Sequence, residues 1–101
     1  MAETPVVLSV VFEAVPGRED ELFAQLTALI APTRSEQGCE AYELHREVSD
    51  PTKMFFFERF KSEQALNDHV AAPYFQAFVK YREQGQDPVA AVTVRRWSRV
   101  I

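Results

Sequence analysis

The chain has 101 residues, of which 47% are hydrophobic, so one compact core can form without disulfides or metal ions. A formal charge of -4 at pH 7 without a basic block argues against a nucleic acid partner. The single cysteine, Cys39, excludes an internal disulfide and a zinc site built from thiolates. These features predict one domain that spans residues 1–101.

The sequence carries no sign of a membrane or export segment. No apolar run approaches the roughly 20 residues that a membrane-spanning helix needs. The first residues, MAETPVVLSVV, contain neither a positively charged leader nor a small-residue cleavage site. Because a lone cysteine also fits a reducing compartment, we expect a cytoplasmic protein without a membrane partner.

The first half of the chain is predicted to form a strand, a helix and a second strand. Residues 5–14, PVVLSVVFEA, are apolar at nearly every position, which is typical of a strand covered on both faces. After a Pro-Gly pair, leucines at helical spacing predict an amphipathic helix over residues 18–36. Pro32 has no backbone donor and predicts a kink or a loosened last turn in that helix. Residues 40–48 alternate in polarity and predict the second strand.

The second half repeats this order. Residues 53–60, KMFFFERF, predict a third strand in a hairpin with the second. Two helical stretches follow over residues 63–70 and 73–84, the second of which opens on a proline. Residues 89–98 predict the last strand.

This order of elements predicts an α+β, ferredoxin-like βαββαβ fold, in which two helices cover one face of a four-stranded antiparallel sheet. The opposite face would leave an apolar patch of several hundred Å² in water. A second copy of the sheet is the simplest cover. We therefore expect a symmetric homodimer packed sheet to sheet.

Two ionisable side chains stand out because they occur among apolar residues. Glu58 lies in the middle of the third strand, where burial disfavours its charged form unless it is paired. His69 lies on the helix that should pack over that strand, and an imidazole exchanges protons near neutral pH. The pair predicts a site in which His69 is the general base and Glu58 orients it. The alternative is a structural ion pair of Glu58 with His69, Arg95 or Arg96.

Four aromatic residues are candidates for the lining of a substrate pocket near this pair. Their alternative interpretation is ordinary core packing, in which large rings fill the space between sheet and helices. The four residues are Tyr42, Phe60, Tyr74 and Phe75.

Short motifs along nearly the whole chain form a recognisable series. In chain order they are Pro16-Gly17-Arg18, Glu36-Gln37-Gly38-Cys39, Tyr42, Asp50-Pro51, Phe57-Glu58-Arg59-Phe60, Ala65-Leu66, His69 and Pro73-Tyr74-Phe75. In this order and spacing they resemble the antibiotic biosynthesis monooxygenase domain of the dimeric α/β-barrel superfamily.

The resemblance implies a dimeric barrel with a pocket between sheet and helices in each subunit. In the characterised members it implies oxygenation of quinol-like or polycyclic aromatic substrates without metal or flavin, so we expect no cofactor. It also supports His69 as a site residue.

Two departures from the family pattern narrow this expectation. Phe60 occupies a position that often carries tryptophan, so ring stacking survives but an indole hydrogen bond does not. Haem-degrading relatives use an asparagine on the first strand, a tryptophan on the second helix and a histidine one turn later. Here the first strand lacks asparagine, His69 falls at the tryptophan position and Val79 falls near the haem-ligand position. Haem degradation is therefore disfavoured.

The leading hypothesis is a cofactor-free monooxygenase of a small aromatic substrate. His69 would remove a phenolic proton, Glu58 would orient the imidazole, and the electron-rich substrate would react with dioxygen. One alternative is an isomerase of a small keto compound that uses the same pair for enolisation. Another is a non-catalytic, ligand-binding or stress-associated dimer in which the pair is only structural.

Overall fold

A computed structural model of the protein describes residues 3–101 and contains four strands and four helices within that range. The elements are β1 (Val6–Ala14), α1 (Glu19–Thr27), α2 (Ile30–Arg34), β2 (Cys39–Arg46), β3 (Lys53–Phe60), α3 (Glu63–Ala71), α4 (Pro73–Glu83) and β4 (Val89–Trp97). The predicted order of strands and helical regions is confirmed, and β3 begins and ends at the predicted residues.

The four strands form one antiparallel sheet in the order β2-β3-β1-β4. The two central strands are therefore β1 and β3, and the edges are β2 and β4. This is the ferredoxin-like topology that the element order predicted. In the register of the sheet, Glu58 lies opposite Leu8 on one side and opposite Tyr42 on the other, so these three side chains share a face.

The core lies between that face of the sheet and the helices. Alternate residues of β1 and β3 are buried, as the period of a strand with one covered face requires. Phe12 makes edge-on contacts with Phe56 of β3 and Phe78 of α4, with ring centroids 6.4 and 6.0 Å apart. The helices add buried leucines to this layer, including Leu22 and Leu26.

The first helical region differs from the prediction, because it is two helices and not one kinked helix. The break lies at Ala28 and Leu29, ahead of Pro32. A continuous helix would lack the bond from residue 32 to the carbonyl of Ala28, and the proline ring would clash with that carbonyl. In the structure Pro32 lies in the first turn of α2, where its missing N–H has no intrahelical partner to lose.

The opposite face of the sheet is only partly shielded within one chain. Alternate residues of β1 and β3 are half-buried there, and β4 is exposed over nearly its whole length. Trp97 is 56% exposed, although its Nε1 donates a hydrogen bond to Ser9 Oγ at 2.7 Å. The expectation that β1 is covered on both faces is therefore not met by the single chain.

None of the helices among residues 3–101 is long and apolar enough to cross a bilayer.

Candidate functional site

His69 lies in the last turn of α3 and is almost fully buried, with 2% of its surface exposed. Three of the four predicted aromatic residues surround its ring. The centroid of the imidazole is 5.5 Å from that of Tyr42 and 5.0 Å from those of Phe60 and Phe75. The helix that carries His69 therefore packs over β3 as predicted. One ring each from β2, β3 and α4 lies directly against the imidazole.

The break between α3 and α4 brings the fourth aromatic residue to the same place. Ala72 is extended, with φ -64° and ψ 145°, because a residue before proline is driven out of the helical region. Pro73 then begins α4 without needing a backbone donor. This change of direction places Phe75 against His69 and turns Tyr74 toward the loop that enters β2.

The hydrogen-bond partner of His69 is Glu36, in the segment between α2 and β2. His69 Nδ1 lies 2.9 Å from Glu36 Oε2, and the hydroxyl of Tyr74 donates to the same carboxylate oxygen. Since an ionised carboxylate only accepts hydrogen bonds, the proton in the first contact belongs to Nδ1. This contact orients the imidazole in the way that an acid orients a histidine.

The prediction that Glu58 orients His69 is therefore wrong. The imidazole contacts the carboxylate of a different element, 33 residues away in the chain. The suggested pairing of Glu58 with Arg96 is also wrong, because both terminal nitrogens of Arg96 donate to Glu63 at 2.8 Å. The alternation of side chains along a strand shows that Glu58 points toward the helices. It does not show which loop supplies the hydrogen-bond partner of His69.

Glu58 is buried, and no side chain in the described part of the chain, residues 3–101, forms an ion pair with it. Its side chain is 5% exposed, and burial raises the pKa of its carboxyl from 4.5 to about 7, with the negative charge of Glu36 adding to the shift. Glu58 is thus able to hold a proton at neutral pH while Glu36 accepts two hydrogen bonds as a carboxylate.

The two tyrosines of the cluster remain neutral hydrogen-bond donors. Burial raises the pKa of Tyr42, and the charge of Glu58 raises it further. Burial also raises the pKa of Tyr74, together with its hydrogen bond to Glu36. Neither phenol is therefore poised to act as a base near pH 7.

A surface cleft of about 420 Å³ opens beside this cluster. Glu36 and Tyr74 line it, and the side chain of Glu36 is 18% exposed. Its other lining residues are Glu3, Gln37, Gly38, Lys61, Ser62, Gln64, Ala65, Asp68 and Ala72. His69, Glu58 and three of the four predicted aromatic residues do not line this cleft, so a ligand there would meet Glu36 and Tyr74 rather than the imidazole.

Sequence reasoning named Glu36 as part of a motif but did not place it in the site. The signal available was its position two residues before Gly38, at the entrance to β2. Gly38 packs so tightly that a Cβ on it would lie 2.4 Å from Ala65 Cβ of α3. A glycine required by close packing against the histidine-bearing helix therefore marks the loop that carries the orienting acid.

Within residues 3–101, no group of three or more His, Cys, Asp or Glu side chains is arranged to hold a metal ion.

Comparison with known proteins identifies the same family that the motifs resemble. Residues 5–81 match the family model described as "Antibiotic biosynthesis monooxygenase". The chain is 37% identical over 81 residues to "Putative monooxygenase Rv0793" of Mycobacterium tuberculosis, covering 80% of this chain and 76% of that protein. It is 32% identical over 79 residues to "Uncharacterized protein sll1783" of Synechocystis sp., covering 78% of this chain but only 54% of that protein's length.

Solved structures share the fold over almost the full chain. The crystal structure of PA3566 from Pseudomonas aeruginosa superposes with a TM-score of 0.92 at 29% identity, covering 100% of this chain and 99% of that one. The structure of the M. tuberculosis relative superposes with a TM-score of 0.84 at 30% identity, covering 97% of each chain.

Proposed function

Because the chain belongs to the antibiotic biosynthesis monooxygenase family, we propose that it is a cofactor-free monooxygenase of a small quinol-like or polycyclic aromatic substrate. The observation that carries the proposal is the Glu36–His69–Tyr74 cluster beside the 420 Å³ cleft. Such a cluster supplies what the reaction needs from a protein, namely a positioned base next to a partly enclosed space.

In this proposal the substrate enters the cleft and presents a hydroxyl or an acidic C–H to Glu36. Glu36 accepts the proton from the substrate, and His69, whose Nδ1 donates to Glu36, positions that carboxylate. Tyr74 donates to the Glu36 carboxylate and holds it in place. General-base catalysis of this kind contributes about 10² to 10⁴ in rate.

The redox chemistry belongs to the substrate and to dioxygen. For an anthrone, loss of a proton leaves a carbanion that reduces dioxygen and bonds to it as a peroxide. The second C–H proton is then removed, the O–O bond breaks, and one oxygen stays as the new carbonyl. The other oxygen leaves as water with the two protons taken from the carbon, so no external reductant is consumed.

Glu58 and the aromatic residues have supporting roles in the proposal. Glu58 is a second acid that can exchange a proton near pH 7 behind the cleft. Tyr42, Phe60 and Phe75 exclude water from the imidazole, and Tyr74 is the predicted ring that also contacts the cleft.

Oxygen uptake with hydroquinone and with an anthrone tests the proposal. We expect turnover that stops without dioxygen, and a loss of kcat of about 100-fold or more in Glu36→Gln and in His69→Ala. Glu83→Gln is the matched control, since Glu83 is exposed at the end of α4, outside the cluster and the cleft. Absence of uptake with every quinol and anthrone tried, or full activity in both cluster variants, would refute it.

A second candidate is a non-catalytic, ligand-binding protein, which the close packing of three rings around His69 favours. In that case the Glu36–His69 contact only joins the β2 loop to α3. Saturable binding of a quinol with no product formed under air would select this candidate.

We also propose that the working form is a homodimer in the cytoplasm, joined through the sheet faces that the helices leave open. The half-buried apolar residues of β1 and β3 and the exposed Trp97 on that face support the dimer. Cell fractionation tests the location.

A further inference from the structure

We propose that the cleft beside Glu36 selects neutral over anionic aromatic ligands, and that Asp68 is a main determinant of this selection. The inference rests on the proposed function in taking this cleft as the substrate site, and it names the charge class of the substrate.

The charges that line the cleft are unbalanced. Among residues 3–101, the lining of the cleft includes three acidic residues, Glu3, Glu36 and Asp68, and one basic residue, Lys61. Asp68 Oδ1 accepts a hydrogen bond from Gln64 Nε2 at 2.8 Å. Because the amide of Gln64 is neutral, this bond does not compensate the negative charge of Asp68. An anionic ligand in the cleft would therefore meet a net negative wall.

The opposing contribution is the amino end of α3, which lies at the same cleft. Ser62 and Ala65 line it, and a helix of this length carries a partial positive charge at its first turn. Ser62 Oγ already accepts from Ala65 N at 3.1 Å, so one of the free donors there is occupied. The partial positive charge at the amino end of α3, about half a unit, is smaller than the excess of acidic over basic residues in the lining.

Glu36, which lines the cleft, adds a preference for ligands that carry a hydroxyl group. Glu36 takes hydrogen bonds from His69 and Tyr74 on one oxygen, Oε2, and its side chain reaches the surface. A carboxylate accepts about four hydrogen bonds, so acceptor capacity remains for a ligand O–H. A neutral phenol or quinol can donate there, whereas a carboxylate group can only repel.

The size of the effect follows from Coulomb's law in water. A unit charge about 8 Å from the ligand changes binding by roughly twofold, so a net change of two charges changes it by about fivefold. Because the cleft is open to solvent, salt at about 0.5 M should reduce this difference.

The test compares two probes that differ by one carboxylate, hydroquinone and 2,5-dihydroxybenzoate. Binding is followed by the shifts of the backbone amide NMR signals of Gln37, Gly38 and Ala65. We expect hydroquinone to bind about fivefold more tightly at pH 7 and low salt. Asp68→Lys should remove this preference, Asp68→Asn should reduce it about twofold, and Glu83→Lys should leave it unchanged.

Glu83→Lys is the matched control because it makes the same change in net charge at the end of α4, outside this cleft. Equal or tighter binding of the carboxylate in the unmodified protein overturns the inference. So does an equal response to Asp68→Lys and Glu83→Lys, or the absence of any shift with hydroquinone. Selective binding of hydroquinone without oxygen uptake would instead refute the proposed reaction and leave the selectivity standing.

Discussion

At the scale of single residues, Glu36 and Glu58 have opposite surroundings in the fold. Glu36 accepts from an imidazole and a phenol and keeps contact with solvent. Glu58 lies on the inner face of β3 between Leu8 and Tyr42, with the charge of Glu36 nearby and no counter-charge that lowers its pKa. The fold therefore tolerates Glu58 mainly in its protonated form.

The pKa of Glu58 predicts a pH-dependent stability. Below about pH 4.5 the carboxyl is protonated in both the folded and the unfolded state, so burying it carries no ionisation cost. As the pH rises toward about 7, Glu58 ionises in the unfolded chain before it does so in the folded protein. Folding must then either keep a proton on Glu58 or bury its negative charge, and both cost free energy. We expect Glu58→Gln to be more stable than the unmodified protein by on the order of 3 kcal/mol at pH 8.

Urea unfolding at pH 4 and pH 8 checks this prediction. The stability gained by Glu58→Gln should be small at pH 4 and grow as the pH rises toward 8. A gain that is the same at both pH values, or a loss that deepens with pH, would contradict a raised pKa.

At the scale of elements, the site depends on how closely the loop before β2 approaches α3. Lys61 N donates to Gly38 O at 2.9 Å, which ties this loop to the end of β3. Glu40 is the extra residue of a bulge in β2, opposite the last residues of β3. These contacts hold Glu36 within reach of His69.

Gly38→Ala tests this approach. The new Cβ would lie 2.4 Å from Ala65 Cβ, which is fixed to the helix backbone and cannot turn away. We expect a loss of about 1 to 3 kcal/mol in unfolding free energy, since overpacking forces the two elements apart. Chemical denaturation measures it.

The matched experiment adds Ala65→Gly to Gly38→Ala. Ala65→Gly alone costs about 1 kcal/mol through helix propensity, but it removes the atom that clashes. The double variant should therefore be more stable than the sum of the single effects predicts. Strict additivity, or a cost for Gly38→Ala below about 0.5 kcal/mol, would show that the approach is not constrained.

A second contact between elements joins the first and last helices. Tyr81 of α4 donates to Glu21 of α1, and Arg18 holds the same carboxylate with Nη2 at 2.6 Å. These groups are near the surface, so their contribution to stability is small. They fix the relative position of the helices more than they strengthen the core.

At the scale of the whole molecule, the helices shield one face of the sheet and leave the other open. Trp97 of β4 is 56% exposed, and Phe57 lies half-buried on the same open face. An apolar face of this kind is costly in water for a single chain. A second copy that packs its own sheet on it removes that cost for both chains.

The proposed dimer predicts a mass of twice 11.6 kDa in solution, which light scattering after size exclusion measures directly. Phe57→Lys should shift the protein toward the monomer, because it places a charge in the middle of the open face. Val70→Lys is the matched control, since Val70 is an exposed apolar residue on α3. A monomeric unmodified protein, or equal effects of the two variants, would contradict the sheet-to-sheet dimer.

The sequence by itself determined the order of elements and the face on which Glu58 lies. Both follow from local periodicity, turn residues and the pattern of motifs, which neighbours in the chain decide. Only the tertiary structure decided the partner of His69, because Glu36 comes from a loop 33 residues away and no periodicity links the two. It also decided the position of the cleft, since this depends on how separate elements pack against one another.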